Sequence, residues 1–298
     1  MLKSIAECAE VLRSPNSSLT DKYDAIYHLR SWKCEDALTV LRETYSCLGK
    51  SELLEHEVMY IFGQTISESS LDFLFNVLHN PEEAPVVRHE AGEALGNYVD
   101  FKDRIIPELK KYWDSDISVL KSTVRLAIRK LENYDKTHNN YDKYLEGTIE
   151  PAEPFNEEQL QQYLTSVGKT KADLTQILLD ENVEEYIKYR IMYTLRATGD
   201  KESAVILASM LLKINHDRTT PLMRHEVCFI MGQLDEKAKH EEVRLAIQEN
   251  LENTNEDPIV RHEAILAYSQ IWGIDDVIKK QREDPAPLVH ESAQIVMI

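Results

Sequence analysis

The chain has 298 residues, 43% of them apolar, and a formal charge of −18. That is enough apolar material for a large core or an extended repeat array, while the acidic balance disfavours nucleic acid and anionic membranes and suits either a basic partner or simple solubility. No run of 18 apolar residues offers a membrane span. The N-terminal stretch MLKSIAECAEVLRSPN lacks the apolar core of a signal peptide and reads poorly as a transit peptide. Cys8, Cys34, Cys47 and Cys228 form no CxxC pair and read as reduced thiols, so a cytoplasmic protein is expected.

Apolar residues recur at helical spacing almost throughout, with no convincing alternating strand. The first predicted helices cover roughly 3–13, 19–31, 35–48, 51–65, 70–79, 84–99, 103–113 and 116–133. The stretch 134–156, YDKTHNNYDKYLEGTIEPAEPFN, is polar and carries Gly147, Pro151 and Pro154, so it reads as a linker. Helices resume at roughly 157–166, 170–180, 184–197, 201–214, 219–234, 239–251, 257–272, 274–281 and 285–298. Helices paired at a period of about 30–40 residues are the signature of an α-solenoid.

The two sides of the linker match in order. KYDAIYHLR (22–30) resembles KYRIMYTLR (188–196), HEVMYIFGQ (56–64) resembles HEVCFIMGQ (225–233), and PVVRHEA (85–91) resembles PIVRHEA (258–264). VLKSTVRLAI (119–128) resembles LVHESAQIVM (288–297) more weakly. The expected architecture is therefore all-α, two pseudo-symmetric halves of four helical hairpins each, at 1–133 and 157–298, joined by the linker 134–156.

With ten histidines and 33 glutamates in 298 residues, about one His-Glu pair is expected by chance, and six occur. His56-Glu57, His89-Glu90, His225-Glu226 and His262-Glu263 open the second helix of repeats two and three in each half. His240-Glu241 opens a first helix, out of register, and reads as a solvated pair. His290-Glu291 lies in the eighth repeat, where its first-half counterpart is Lys121-Ser122, so it lacks the symmetry. One such pair is ordinary, because glutamate in a first turn suits the helix N-terminus. Four in one register are not, because stacked second helices bring equivalent positions together.

If the halves face each other, the expected pocket holds four imidazoles and four carboxylates. Left empty it would be costly, at several kcal/mol for each desolvated ion, and a divalent metal offsets that cost. Imidazole and carboxylate without thiolate suit iron, manganese or zinc. Neighbouring residues on a helix diverge by about 100°, so one member of a pair can ligate while the other turns toward substrate. Cys228, three residues after His225, is more simply read as packing than as a nucleophile. A two-metal hydrolase and a peptide-binding scaffold are the competing classes.

The segments LLEHEVMYIFGQ, APVVRHEAGEALGNY, PLMRHEVCFIMGQ and DPIVRHEAILAY resemble the deoxyhypusine hydroxylase family, HEAT-repeat di-iron monooxygenases of eukaryotes, and the resemblance covers nearly the whole chain. It implies eight HEAT-like hairpins, with two Fe2+ ions held between the halves and molecular oxygen as co-substrate. The implied partner is the deoxyhypusine-bearing precursor of eukaryotic translation initiation factor 5A, with no nucleic acid or membrane involved, and a monomer is expected. By position, the resemblance makes His56, His89 and Glu90 the ligands of one iron and His225, His262 and Glu263 those of the other. It gives Glu57 and Glu226 a catalytic role in orienting the cationic substrate amines. The GEALG run (92–96) has no counterpart after the fourth motif, a departure that touches packing rather than ligands.

Overall fold

The structure, a computed structural model, describes residues 3–134 and 148–297. These residues contain seventeen α-helices and no strand, and they divide into two compact units that meet in sequence at Pro151 and Ala152. The fold is an all-α solenoid of helical hairpins.

The first unit contains α1 (Ile5–Arg13), α2 (Leu19–Trp32), α3 (Glu35–Thr44), α4 (Glu52–Gln64), α5 (Leu71–His79), α6 (Pro85–Gly96), α7 (Lys102–Lys110) and α8 (Ser118–Asn133). Ser4 and Ser18 start α1 and α2 with capping boxes, each satisfying backbone N–H groups that the first turn leaves unpaired. The second helix of each hairpin packs on that of the next, α2 on α4, α4 on α6 and α6 on α8. Small residues allow the close approach. A Cβ on Gly63 would stand 3.0 Å from the Ala94 Cα, and one on Gly96 would stand 2.9 Å from the Ala127 Cβ.

The second unit contains α9 (Glu157–Ser166), α10 (Leu174–Leu178), α11 (Glu185–Thr198), α12 (Lys201–Ala208), α13 (Pro221–Leu234), α14 (Glu241–Glu252), α15 (Pro258–Trp272), α16 (Asp276–Lys280) and α17 (Pro287–Ile295). Its second helices pack in the same succession, α11 on α13, α13 on α15 and α15 on α17. Proline opens α13, α15 and α17, where its fixed φ suits the first turn and its missing N–H is not needed. The helix expected over 201–214 stops at Ala208 and continues as 3-10 turns at Ser209–Leu211 and Lys213–Arg218. Side chains there take up the freed carbonyls: Asn215 Nδ2 donates to Ser209 O at 2.7 Å, and His216 Nε2 lies 3.0 Å from Leu211 O.

Of the stretch expected as a linker, 135–147 lies outside the described residues. Residues 149 and 150 of the same stretch are pinned to the first unit. Ile149 N donates to Gln64 Oε1 at 2.7 Å, Gln64 Nε2 donates back to Ile149 O at 3.2 Å, and Lys130 Nζ donates to Glu150 O at 2.5 Å. Phe155 belongs to the second unit, where its N donates to Thr194 Oγ1 at 2.9 Å and Arg190 stacks over its ring at 3.7 Å.

Candidate metal centre

The four histidines share one register. His56, His89, His225 and His262 are each the fifth residue of α4, α6, α13 and α15, and a glutamate follows each as the sixth. Because α4 packs on α6 and α13 on α15, this register sets the pairs of each half side by side.

In the first unit His56 Nε2 lies 3.1 Å and His89 Nε2 3.6 Å from Glu90 Oε2, with all three side chains buried. The two rings stack at 6.5 Å between centroids, and one ligand atom from each residue lies within 4.8 Å of the others. In the second unit His225 Nε2 and His262 Nε2 each lie 3.7 Å from Glu263 Oε2, with the rings again 6.5 Å apart. The second triad is thus the more open version of the first. The remaining ring nitrogen of His89 and of His262 bonds to a hydroxyl on the next second helix, Thr123 on α8 and Ser292 on α17.

Glu57 and Glu226 take no part in those two triads. Burial raises the Glu57 pKa, an effect opposed by the charges of His56 and Arg30. Glu226 is buried and accepts a short hydrogen bond from Tyr193 Oη on α11. The Tyr193 counterpart, Tyr27, is 57% exposed, so only the second half builds this hold from that position. Tyrosine at both positions is visible in the aligned segments, but which of them turns inward is decided by packing.

The other pairs fall elsewhere. His240 is the N-cap residue of α14, and Glu241 is exposed and pairs with Arg244. His290 is the fourth residue of α17 and Glu291 the fifth, one position short of the register of the other four pairs. Proline distances carry that signal in the sequence: His89, His225 and His262 follow Pro85, Pro221 and Pro258 by four residues, whereas His290 follows Pro287 by three. Burial, together with Glu263 and Glu256, pushes the Cys228 thiol well above its usual range, which disfavours a thiolate nucleophile.

Before three of the four pairs stands an arginine that braces its helix. Arg88 donates to Leu78 O at 3.0 Å and Arg261 to Leu251 O at 3.4 Å, each reaching the end of the preceding first helix. Arg224 donates to Thr219 O at 2.6 Å and forms a buried two-pronged pair with Glu256 at 2.8 and 2.9 Å. The repeated RHE was visible in the sequence without a reason, and these bonds supply one.

A first-row divalent ion fits this donor set. Two imidazole nitrogens and a carboxylate oxygen converge without thiolate, and ligands bound at about 2.0–2.2 Å require the spacing the first triad shows with little closure.

No family model matches the chain. It is similar to the deoxyhypusine hydroxylase of Homo sapiens, with 30% identity over 97% of this chain and 88% of the relative. It is similar also to those of Mus musculus, with 30% identity over 99% and 91%, and Danio rerio, with 29% over 99% and 91%. Among solved structures it is similar to human deoxyhypusine hydroxylase in complex with glycerol, with a TM-score of 0.81 and 28% identity over 98% of this chain and 94% of that one.

Proposed function

The chain belongs to the deoxyhypusine hydroxylase family, a family of enzymes, and on that premise we propose that it uses two ferrous ions and molecular oxygen to hydroxylate the deoxyhypusine side chain of eukaryotic translation initiation factor 5A. The observation that carries the reading is the doubled His-His-Glu triad, thiolate-free and in one helical register. His56, His89 and Glu90 hold one iron, and His225, His262 and Glu263 hold the other. Bound iron supplies the oxygen activation that hydroxylating an unactivated carbon requires and that no side chain provides.

The remaining carboxylates bind the substrate. Glu57 and Glu226 orient the cationic amines of the deoxyhypusine tail, and Tyr193 holds Glu226 in place by its hydrogen bond. The net charge of −18 favours encounter with a basic partner surface at low salt. The protein acts as a cytoplasmic monomer.

The test combines metal analysis with isotope tracing. Protein expressed with iron should hold two irons per chain, one for each triad, and oxygen-18 gas should label the product hydroxyl. His89→Ala and His262→Ala should each lose iron and turnover, while His290→Ala keeps both. Label arriving from water, or full turnover with zinc alone, would overturn the reading in favour of hydrolytic metal chemistry.

A further inference from the structure

We propose that Thr123 and Ser292 are positioning residues, each holding the second histidine of its half with the ring proton on Nδ1, so that Nε2 presents its lone pair toward the carboxylate beside it. His89 Nδ1 lies 2.6 Å from Thr123 Oγ1, and His262 Nδ1 lies 2.7 Å from Ser292 Oγ. Each hydroxyl already donates its own proton one turn back, Thr123 to Val119 O at 2.8 Å and Ser292 to Leu288 O at 2.5 Å. A hydroxyl has one proton to give. Toward the imidazole, then, its oxygen is an acceptor, and the hydrogen between them belongs to Nδ1. The neutral ring is left with its lone pair on Nε2, which faces Glu90 at 3.6 Å or Glu263 at 3.7 Å.

Register supports the assignment independently of these distances. Thr123 and Ser292 are the sixth residues of α8 and α17. That is the position that holds glutamate in α4, α6, α13 and α15. The fourth repeat of each half thus places a hydroxyl where the second and third place a carboxylate. A hydroxyl orients the imidazole without adding another buried negative charge to a site that already has two carboxylates per half. The surroundings differ. Beneath Thr123 lies Gly92, whose added Cβ would meet the Thr123 methyl at 3.3 Å, while the residue corresponding to Gly92 in the second half is Ile265. The hydroxyl-to-Nδ1 bond is common to both halves although the residues packed around it are not. Its consequence for metal rests on the reading of His89 and His262 as ligands, since outer hydrogen bonds fix the tautomer and direction of a ligating histidine.

The test uses full-length protein, freed of iron and labelled with nitrogen-15 histidine. Long-range proton–nitrogen correlation should give the Nδ1–H form for His89 and His262. Thr123→Val and Ser292→Ala should move His89 and His262, respectively, to mixed or Nε2–H tautomers, and Thr123→Ser should retain the wild-type signal. Iron affinity at the altered triad should fall by about 10- to 100-fold in the first two variants and be restored in the third. Unchanged tautomers in Thr123→Val and Ser292→Ala would overturn the proposal, as would unchanged iron affinity despite a shifted tautomer. If Thr123→Val fails to fold, Ser292→Ala, which removes one oxygen atom, carries the same test in the other half. A wild-type protein that takes up no iron would count against the metal reading, while the tautomer measurement on the iron-free protein would still decide the positioning claim.

Discussion

The two halves carry the same His-Glu register on differently built frames. In the second half Arg224, the residue before His225, forms its buried ion pair with Glu256. The corresponding residues in the first half are Glu55 and Glu83, two carboxyl groups facing each other, with Lys50 at 3.6 Å and the Tyr45 hydroxyl at 3.3 Å from Glu83. The helix contacts differ as well. A Cβ on Gly63 would press on the Ala94 backbone at 3.0 Å, whereas on Gly232 it would meet Ala267 at an ordinary 3.6 Å. What both halves keep is histidine at the fifth position, carboxylate at the sixth, and a hydroxyl on the next second helix. The braces around that set differ between the halves.

Four substitutions probe the comparison. Arg224→Met should have the largest effect, because it leaves Glu256 buried without its main partner. Breaking such a pair costs about 3–5 kcal/mol, readable as a lowered denaturation midpoint. A loss no greater than the roughly 0.5 kcal/mol typical of surface changes would show that the neighbouring His216, 3.4 Å from Glu256, supports that carboxylate alone.

Glycine substitutions come next. Gly63→Ala should destabilise by about 1–3 kcal/mol through overpacking, since the atom it meets is backbone and cannot rotate away. Gly232→Ala should be neutral, or stabilising by up to about 1 kcal/mol, from helix propensity. Equal costs in unfolding experiments would erase the difference in packing between the halves.

The smallest effect is a change of slope with pH. Burial and the neighbouring Glu83 push the Glu55 pKa from 4.5 up to about 7. The folded chain therefore retains a proton that the unfolded chain releases, and this contribution to stability is full below pH 4.5 and lost as pH rises through about 7. Glu55→Gln should flatten that decline, and Arg224→Met should not. An unaltered slope in Glu55→Gln, measured by unfolding at several pH values, would show that Glu55 is not the group responsible.

The helical repeat and its duplication were legible because apolar spacing and matched segments are both written along the chain. The shared register of the four His-Glu pairs was legible for the same reason, and the proline spacing that sets His290 one position off was there to be read. Thr123 and Ser292 were not, because a hydroxyl residue inside a helix is unremarkable until packing shows which histidine lies beside it. The contrast of EHE with RHE at residues 55–57 was visible too. Its meaning was hidden, since Glu55 and Glu83 are brought together only when α4 packs near the turn that precedes α6. Tyr27 and Tyr193 align in sequence, yet only the folded surroundings make one a surface residue and the other the partner of Glu226.

The pins at Gln64 and Lys130 set where the first unit ends along the chain. Helix α8 and residues Ile149 and Glu150 are fastened to the same unit. The chain passes on to the second unit at Pro151 and Ala152. The tether that joins the second unit to the first therefore starts after Glu150 and not at the end of α8.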